Sequence, residues 1–254
     1  MKTIFASAKQ HKRLFLLTIS TLCFCLVLPI GLTNCDSSNP GTGTGAGESE
    51  VTFRSEMSSS SVILAQADDK VGAETQAITG LQIQRVRILV KELKVKPSKD
   101  NSGASDKQIK LSPFVIDWRA GQILVFATAP LPVGEYDQAK FQFHRFTPPE
   151  VSQYQNDPVF RDFVTPDRVT VIIEGSLTDN GRSEAFVYRS DVTANLNLNF
   201  DNVITVSTSK ITIALQFNPS VVFRRGSALL DPRDSRNRND IDNLIRTAIR
   251  AFKK

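Results

Sequence analysis

Between Val51 and about Phe223 apolar and polar residues alternate with a period of two, interrupted at short intervals by turn residues. Side chains alternate faces along a strand, so this period predicts β-structure over most of the chain. Val51, Phe53 and Met57 open the pattern, and Val62 to Ala65 adds a short apolar run. Leu81 to Val95 is a long β-rich stretch whose phase slips, from Leu81/Ile83 to Val86/Ile88/Val90 and then to Leu93/Val95. A slip of one residue would turn the apolar set to the opposite face, so each slip predicts a bulge or a break.

Beyond the polar loop Pro97–Asp106, Ile109 to Trp118 and Gln122 to Ala127 read as two strands around Ala120-Gly121. Ala139, Phe141 and Phe143 face one way, against Lys140, Gln142 and His144. Val169, Val171, Ile173 and Leu177 alternate up to Asp179-Asn180-Gly181, a hairpin turn, and the return strand is about Ser183 to Arg189. Val192, Ala194, Leu196, Leu198 and Phe200 then alternate with Thr193, Asn195, Asn197 and Asn199, and Ile211, Ile213, Leu215 and Phe217 repeat the pattern. About nine or ten short strands without helical crossovers predict an all-β fold, an antiparallel β-sandwich.

At the C-terminus the period changes. Ile241, Leu244, Ile245, Ala248, Ile249 and Phe252 form one stripe of an amphipathic helix. Asn239 is its expected N-cap, Asp240 and Asp242 lie in the first turn, and Arg250, Lys253 and Lys254 close the last, complementing the helix dipole. The helix is expected to pack its stripe on the sandwich rather than on a membrane. The resulting organisation is 1–34, 35–50, a sandwich over 51–230, and a capping turn with the helix over 231–254.

The N-terminal segments fix the expected address. Lys2, Lys9, Lys12 and Arg13 precede an uncharged apolar run from Leu14 to Leu28, the pattern of a secretory signal peptide. Pro29 and Gly31 break it, and Leu32-Thr33-Asn34-Cys35 follows. This tetrapeptide resembles the lipobox of bacterial lipoproteins, in which the Cys is lipidated and becomes the first mature residue. It departs from the family at Asn34, where Gly, Ala or Ser is usual. The resemblance implies a lipid on Cys35 and a place in the bacterial cell envelope, at the outer membrane or cell surface in preference to the inner membrane. An uncleaved membrane anchor over Leu14–Leu32 and a simple cleaved signal are the alternatives. Residues 36–50 hold no large apolar residue; as a flexible coil this tether would reach roughly 20 Å.

Composition changes the picture once the leader is set aside. The whole chain has 31 basic and 26 acidic side chains, net +5, which by itself hints at nucleic acid. Without residues 1–34 the balance is 27 to 26, formally +1, and no basic patch interleaves with stacking aromatics, so no nucleic-acid partner is expected. Cys23 and Cys25 lie in the apolar run, which leaves the exported body without disulfides, a thiol nucleophile or a Cys-based metal site.

Candidate chemistry is sparse. His144 is the sole His of the exported body and no G-x-S-x-G motif is present, so no catalytic residue, cofactor or metal is assigned. Asp231 to Asp240 is rich in Asp and Asn but carries Arg233, Arg236 and Arg238 and lacks calcium-loop spacing. It reads as a turn into the helix. Trp118 and Tyr154 are the candidate ligand-binding rings, Tyr154 from the Pro- and aromatic-rich connection Thr147–Asp167; packing of those aromatics on the core is the competing reading.

Leu131-Pro132-Val133-Gly134-Glu135-Tyr136 is a compact turn in which Tyr136 buries its ring while its hydroxyl ties the corner. With Arg85–Leu93 and Pro113–Asp117, this L-P-x-G-x-Y pattern resembles bacterial lipoproteins carrying an uncharacterised immunoglobulin-like or transthyretin-like β-sandwich domain. The resemblance implies fold and location and transfers no activity. The expected function is therefore binding or structure at the envelope, through a membrane anchor and an envelope protein or glycan partner. A carbohydrate-binding module and a hydrolase with an unrecognised carboxylate site are the alternatives.

Overall fold

The structure, a computed structural model, describes residues 47–58, 78–99, 105–226 and 228–254. The leader, Cys35, most of the tether and the Val62–Ala65 run lie outside them. In chain order the elements are β1 (Glu48–Met57), β2 (Gly80–Pro97), β3 (Lys107–Lys110), β4 (Phe114–Arg119), β5 (Ile123–Pro132), β6 (Gly134–Phe143) and α1 (Pro148–Tyr154). There follow β7 (Val171–Asp179), β8 (Arg182–Ser190), β9 (Asn195–Val206), β10 (Ile211–Phe217), β11 (Arg224–Arg225), β12 (Ala228–Leu229), α2 (Arg238–Thr247) and β13 (Ile249–Lys253). Strand β1 takes in Glu48, Ser49 and Glu50, which the sequence pattern assigned to the tether. Among the described residues, 57% strand against 13% helix places the fold in the mostly-β class.

The architecture departs from an antiparallel sandwich. Eleven strands form one mixed sheet in the order β5-β1-β10-β13-β9-β6-β2-β7-β8, with β3 and β4 also bonded to β2. The sheet curls until β5 lies against β3 and β4. Most pairings are antiparallel, but β1 runs parallel to β10 and β13 parallel to β9. Hairpin logic constrains only neighbours in sequence; these pairs join segments far apart in the chain, where alternation carries no direction.

Strand β2 organises the curl. One of its edges carries β3 and β4 in succession. The other carries β6 along Val90–Pro97 and β7 along Gly80–Ile88, so β6 and β7 lie end to end. Strands β9 and β8 pair with them in the next row. The register shifts at Ile83/Arg85 and at Val90/Leu93, the two places where the hydrophobic phase slips. Ile83, Val86, Ile88, Val90, Leu93 and Val95 are thereby all buried.

Local chemistry accounts for the turns. Asn180 and Gly181 have φ of 48° and 76°, the conformation a two-residue hairpin of this hand requires. The Tyr136 hydroxyl donates to the Pro132 carbonyl at 2.9 Å while its ring is buried, which ties the β5–β6 corner. Three contacts hold the two flanks of the curl together. The Trp118 indole N–H donates to the Leu215 carbonyl at 2.8 Å, the Trp118 ring packs on Phe217, and the Ser55 hydroxyl donates to the Asp117 carbonyl at 2.5 Å.

The C-terminus differs from the expected single helix. Helix α2 has Asn237 rather than Asn239 at its N-cap position, without a side-chain capping bond, and ends at Thr247, with Ile241 and Ile245 buried. Ile249 and Phe252, the last of the helical stripe, lie on β13, which enters the sheet between β10 and β9. Over so short a segment Ile249 serves either pattern: with Phe252 it extends the helical stripe, and with Ala251 it makes the buried pair of a strand. β-Branched and aromatic residues and an open sheet position decide for the strand.

Candidate functional site

The sheet is interrupted at one level in two neighbouring rows. After Phe143 the chain leaves β2 at His144, whose N–H donates to the Leu89 carbonyl. It returns at Thr170, whose carbonyl accepts from the Leu89 N–H. Between these bonds lies the whole 145–169 excursion. Next to it, Asp191–Ala194 links the end of β8 to the start of β9. The Thr170 hydroxyl pins this link by donating to the Ser190 and Val192 carbonyls.

The excursion is held from within. Pro148 and Pro149 open α1, where fixed φ suits the first helical turn. The Thr147 N–H and hydroxyl both donate to one Glu150 oxygen at 2.8 Å, and His144 Nε2 lies 2.8 Å from the other. Burial pushes the Glu150 carboxyl up, but the Thr147 and His144 hydrogen bonds outweigh it and hold it below the usual carboxylate range. His144, expected on a solvated face, has a side chain only 11% exposed. With both Glu150 oxygens occupied, this His–carboxylate pair braces the start of α1.

Beneath α1, Phe146, Phe163, Leu89, Val169 and Ile172 form a buried satellite cluster. Tyr154 stacks on Phe146 at 5.0 Å and meets Phe160 at 4.8 Å. Arg87 seals one side: it lies over the Phe163 ring and donates to Asp162 and Glu174, both at 2.6 Å. The Arg87 hydrogen bond holds the Asp162 carboxyl below its ordinary value.

The sequence-derived rings are thus placed apart and inward. Trp118 is 0% exposed inside the curl, with its N–H committed to Leu215, so it offers no face to a ligand. Tyr154 is half-buried and pins the excursion onto the core. Cys35 lies outside the described residues. The acidic run ahead of α2 is engaged by arginine: Arg233 bridges Asp231, Asp179 and Glu184, and Arg236 pairs with Asp234. Among the described residues no group of His, Cys, Asp and Glu is arranged to hold a metal.

What the interruption does assemble is a cleft of about 340 Å³ lined by Arg145, Asp167, Val169, Arg189, Asp191 and Arg238. Arg145 and Arg238 both pair with Asp191, each at 3.2 Å, and Arg145 also donates to the Asp167 carbonyl at 3.0 Å. Arg189 donates to the neutral Asp162 carbonyl at 3.2 Å. Behind the cleft the buried Tyr188 hydroxyl donates to Asp242 at 2.8 Å and to the Arg238 carbonyl at 3.3 Å, which fixes the first turn of α2. Burial, and then the Asp242 carboxylate, drive the Tyr188 phenol well above its ordinary range. These arginines come from three distant segments, and local patterning marks none of them. In the sequence Arg189 stood only at the end of the return strand and Arg238 only among the arginines of the Asp- and Asn-rich run.

Among the described residues no helix is long and apolar enough to cross a membrane. No family model matches the chain, and neither a curated protein nor a solved structure gives a match.

Proposed function

We propose that this chain is a bacterial cell-envelope lipoprotein, held to a membrane by lipid on Cys35, whose β domain works by binding or structure and not by catalysis. One observation carries the reading: a basic start, an apolar run, Leu32-Thr33-Asn34-Cys35 and a tether without large apolar residues occur in that order. The compact unit Gly45–Lys254 follows this leader, and its first strand begins at Glu48. The family proposed is the group of bacterial lipoproteins with an uncharacterised immunoglobulin-like or transthyretin-like domain, placed at the outer membrane or cell surface.

The cleft supports binding over chemistry. Its polar groups are three guanidiniums and the Asp167 and Asp191 carboxylates, with Arg145 and Arg238 sharing Asp191, a constellation suited to recognition of charge. The carbohydrate-module reading loses its two proposed rings, since Trp118 is enclosed and Tyr154 is stacked on Phe146.

Labelled palmitate tests the anchor. The native protein should incorporate label and partition with membranes, and Cys35→Ala should do neither. Label incorporated equally by the variant would overturn the assignment.

A further inference from the structure

We propose that the cleft at the double interruption of the sheet binds a phosphate ester through Arg145, Arg189 and Arg238. This names a ligand class for the binding domain described above and rests on that reading. Three guanidiniums reach one cleft of about 340 Å³ from three directions: the start of the 145–169 excursion, the end of β8 and the first turn of α2. Asp191 gives each of Arg145 and Arg238 a single contact at 3.2 Å, where a bidentate pair would occupy two donors of one arginine. Arg189 donates a hydrogen bond to the neutral Asp162 carbonyl and lies near enough to the Asp162 carboxylate to help hold it charged, without a salt bridge to it. A guanidinium has five N–H donors, so most of this donor capacity is unspent. Counting the carboxylates of Asp167 and Asp191 against the three arginines, the lining keeps one net positive charge.

The convergence selects the geometry of the anion. A planar carboxylate is satisfied by one arginine fork, whereas three forks from different directions suit the several oxygens of a tetrahedral phosphate. The backbone of the rim carries the strain expected of a functional loop. Arg168, between the lining residues Asp167 and Val169, has φ of 47°, a left-handed conformation that non-glycine residues adopt rarely.

The position of the cleft selects the source of the phosphate. The chain reaches β1 beside the β5–β6 corner, where Glu48 pairs with Pro132. The cleft lies past the far end of β6, a strand of 10 residues, which is about 30 Å away at the usual rise per residue. The cleft and the first strand thus lie at different ends of β6, and the ligand assigned to it is a soluble or surface-borne phosphate ester.

The test is isothermal titration of the full-length protein in detergent micelles with inorganic phosphate, with acetate and anionic phospholipid vesicles as comparison arms. Phosphate should bind saturably and more tightly than acetate. Arg189→Gln and Arg238→Gln should each weaken binding by about 10-fold or more, the loss of charged hydrogen bonds. Asp191→Asn, which frees Arg145 and Arg238, should tighten it, and Arg182→Gln at the far end of β8 should change nothing. Circular dichroism checks that each variant is folded. No saturable phosphate binding by either the native protein or Asp191→Asn would overturn the proposal. So would equal affinity in all variants, or acetate matching phosphate, while binding to vesicles alone would overturn the assigned source. Cys35→Ala should bind phosphate like the native chain, so failure of the cleft and failure of the anchor are separable.

Discussion

Replacing Trp118 by Phe tests whether the curled sheet is closed from inside. The ring is wholly buried between β4 and β10, its N–H donates to the Leu215 carbonyl at 2.8 Å, and it packs on Phe217 with centroids 5.7 Å apart. Phe removes the donor, at about 1 kcal/mol for a net hydrogen bond. It also removes part of a buried bicyclic ring, worth about 2 kcal/mol at ~0.8 kcal/mol per buried methylene-sized group, with some cavity cost included. The sum is about 3 kcal/mol, or roughly 6–12 °C in Tm for a domain of this size. Urea unfolding followed by far-ultraviolet circular dichroism measures it. Trp118 is the sole tryptophan, so acrylamide quenching of the native protein reads this one ring and should be weak. A loss below about 0.5 kcal/mol, the range of ordinary surface substitutions, together with efficient quenching, would refute the enclosed position.

Other expectations concern the junction of β2 with β7 and the ion pairs around it. A methyl group on Gly175 would collide with the Gln82 carbonyl and the Phe186 ring, so Gly175→Ala should cost about 2–3 kcal/mol in urea unfolding. Arg87→Met leaves Asp162 and Glu174 facing each other without their shared cation. With solvent screening of those half-exposed carboxylates the loss should be about 2 kcal/mol, measured the same way. Asp117, Asp162 and Glu150 all have folded-state carboxyls held below their ordinary values. Their contribution is present above the unfolded values near pH 4 and is lost as pH falls through the depressed ones. The urea midpoint should stay level from about pH 7 to 5 and fall below about pH 4, with a shallower fall in Asp162→Asn.

Short-range features of the fold were legible in the residues. The slips after Ile83 and Val90 became bulges, Asn180-Gly181 became a two-residue turn, and Tyr136 ties its own corner. In each case the cause lies within a few residues of the effect. Strand direction was not legible, because Val51 and Ile211, paired in parallel, share no local signal. Strand β13 was hidden by ambiguity: Ile249 fits a helical stripe with Phe252 and a strand face with Ala251, and the space between β10 and β9 decided.

The candidate site was harder still. Aromatic rings draw attention in a sequence, yet Trp118 and Tyr154 serve packing. The cleft is made of arginines that look like solvated surface until the 145–169 excursion, the end of β8 and the start of α2 meet. Their convergence depends on β6 and β7 lying end to end along β2, a long-range property of the fold.

The most direct measurement on the central claim is the intact mass of the mature chain purified from membranes. Display by a lipid anchor predicts a chain beginning at Cys35 and heavier than residues 35–254 by a diacylglyceryl group and attached acyl chain. A mature chain that retains residues 1–34, or one that begins after Cys35 without lipid, would contradict it.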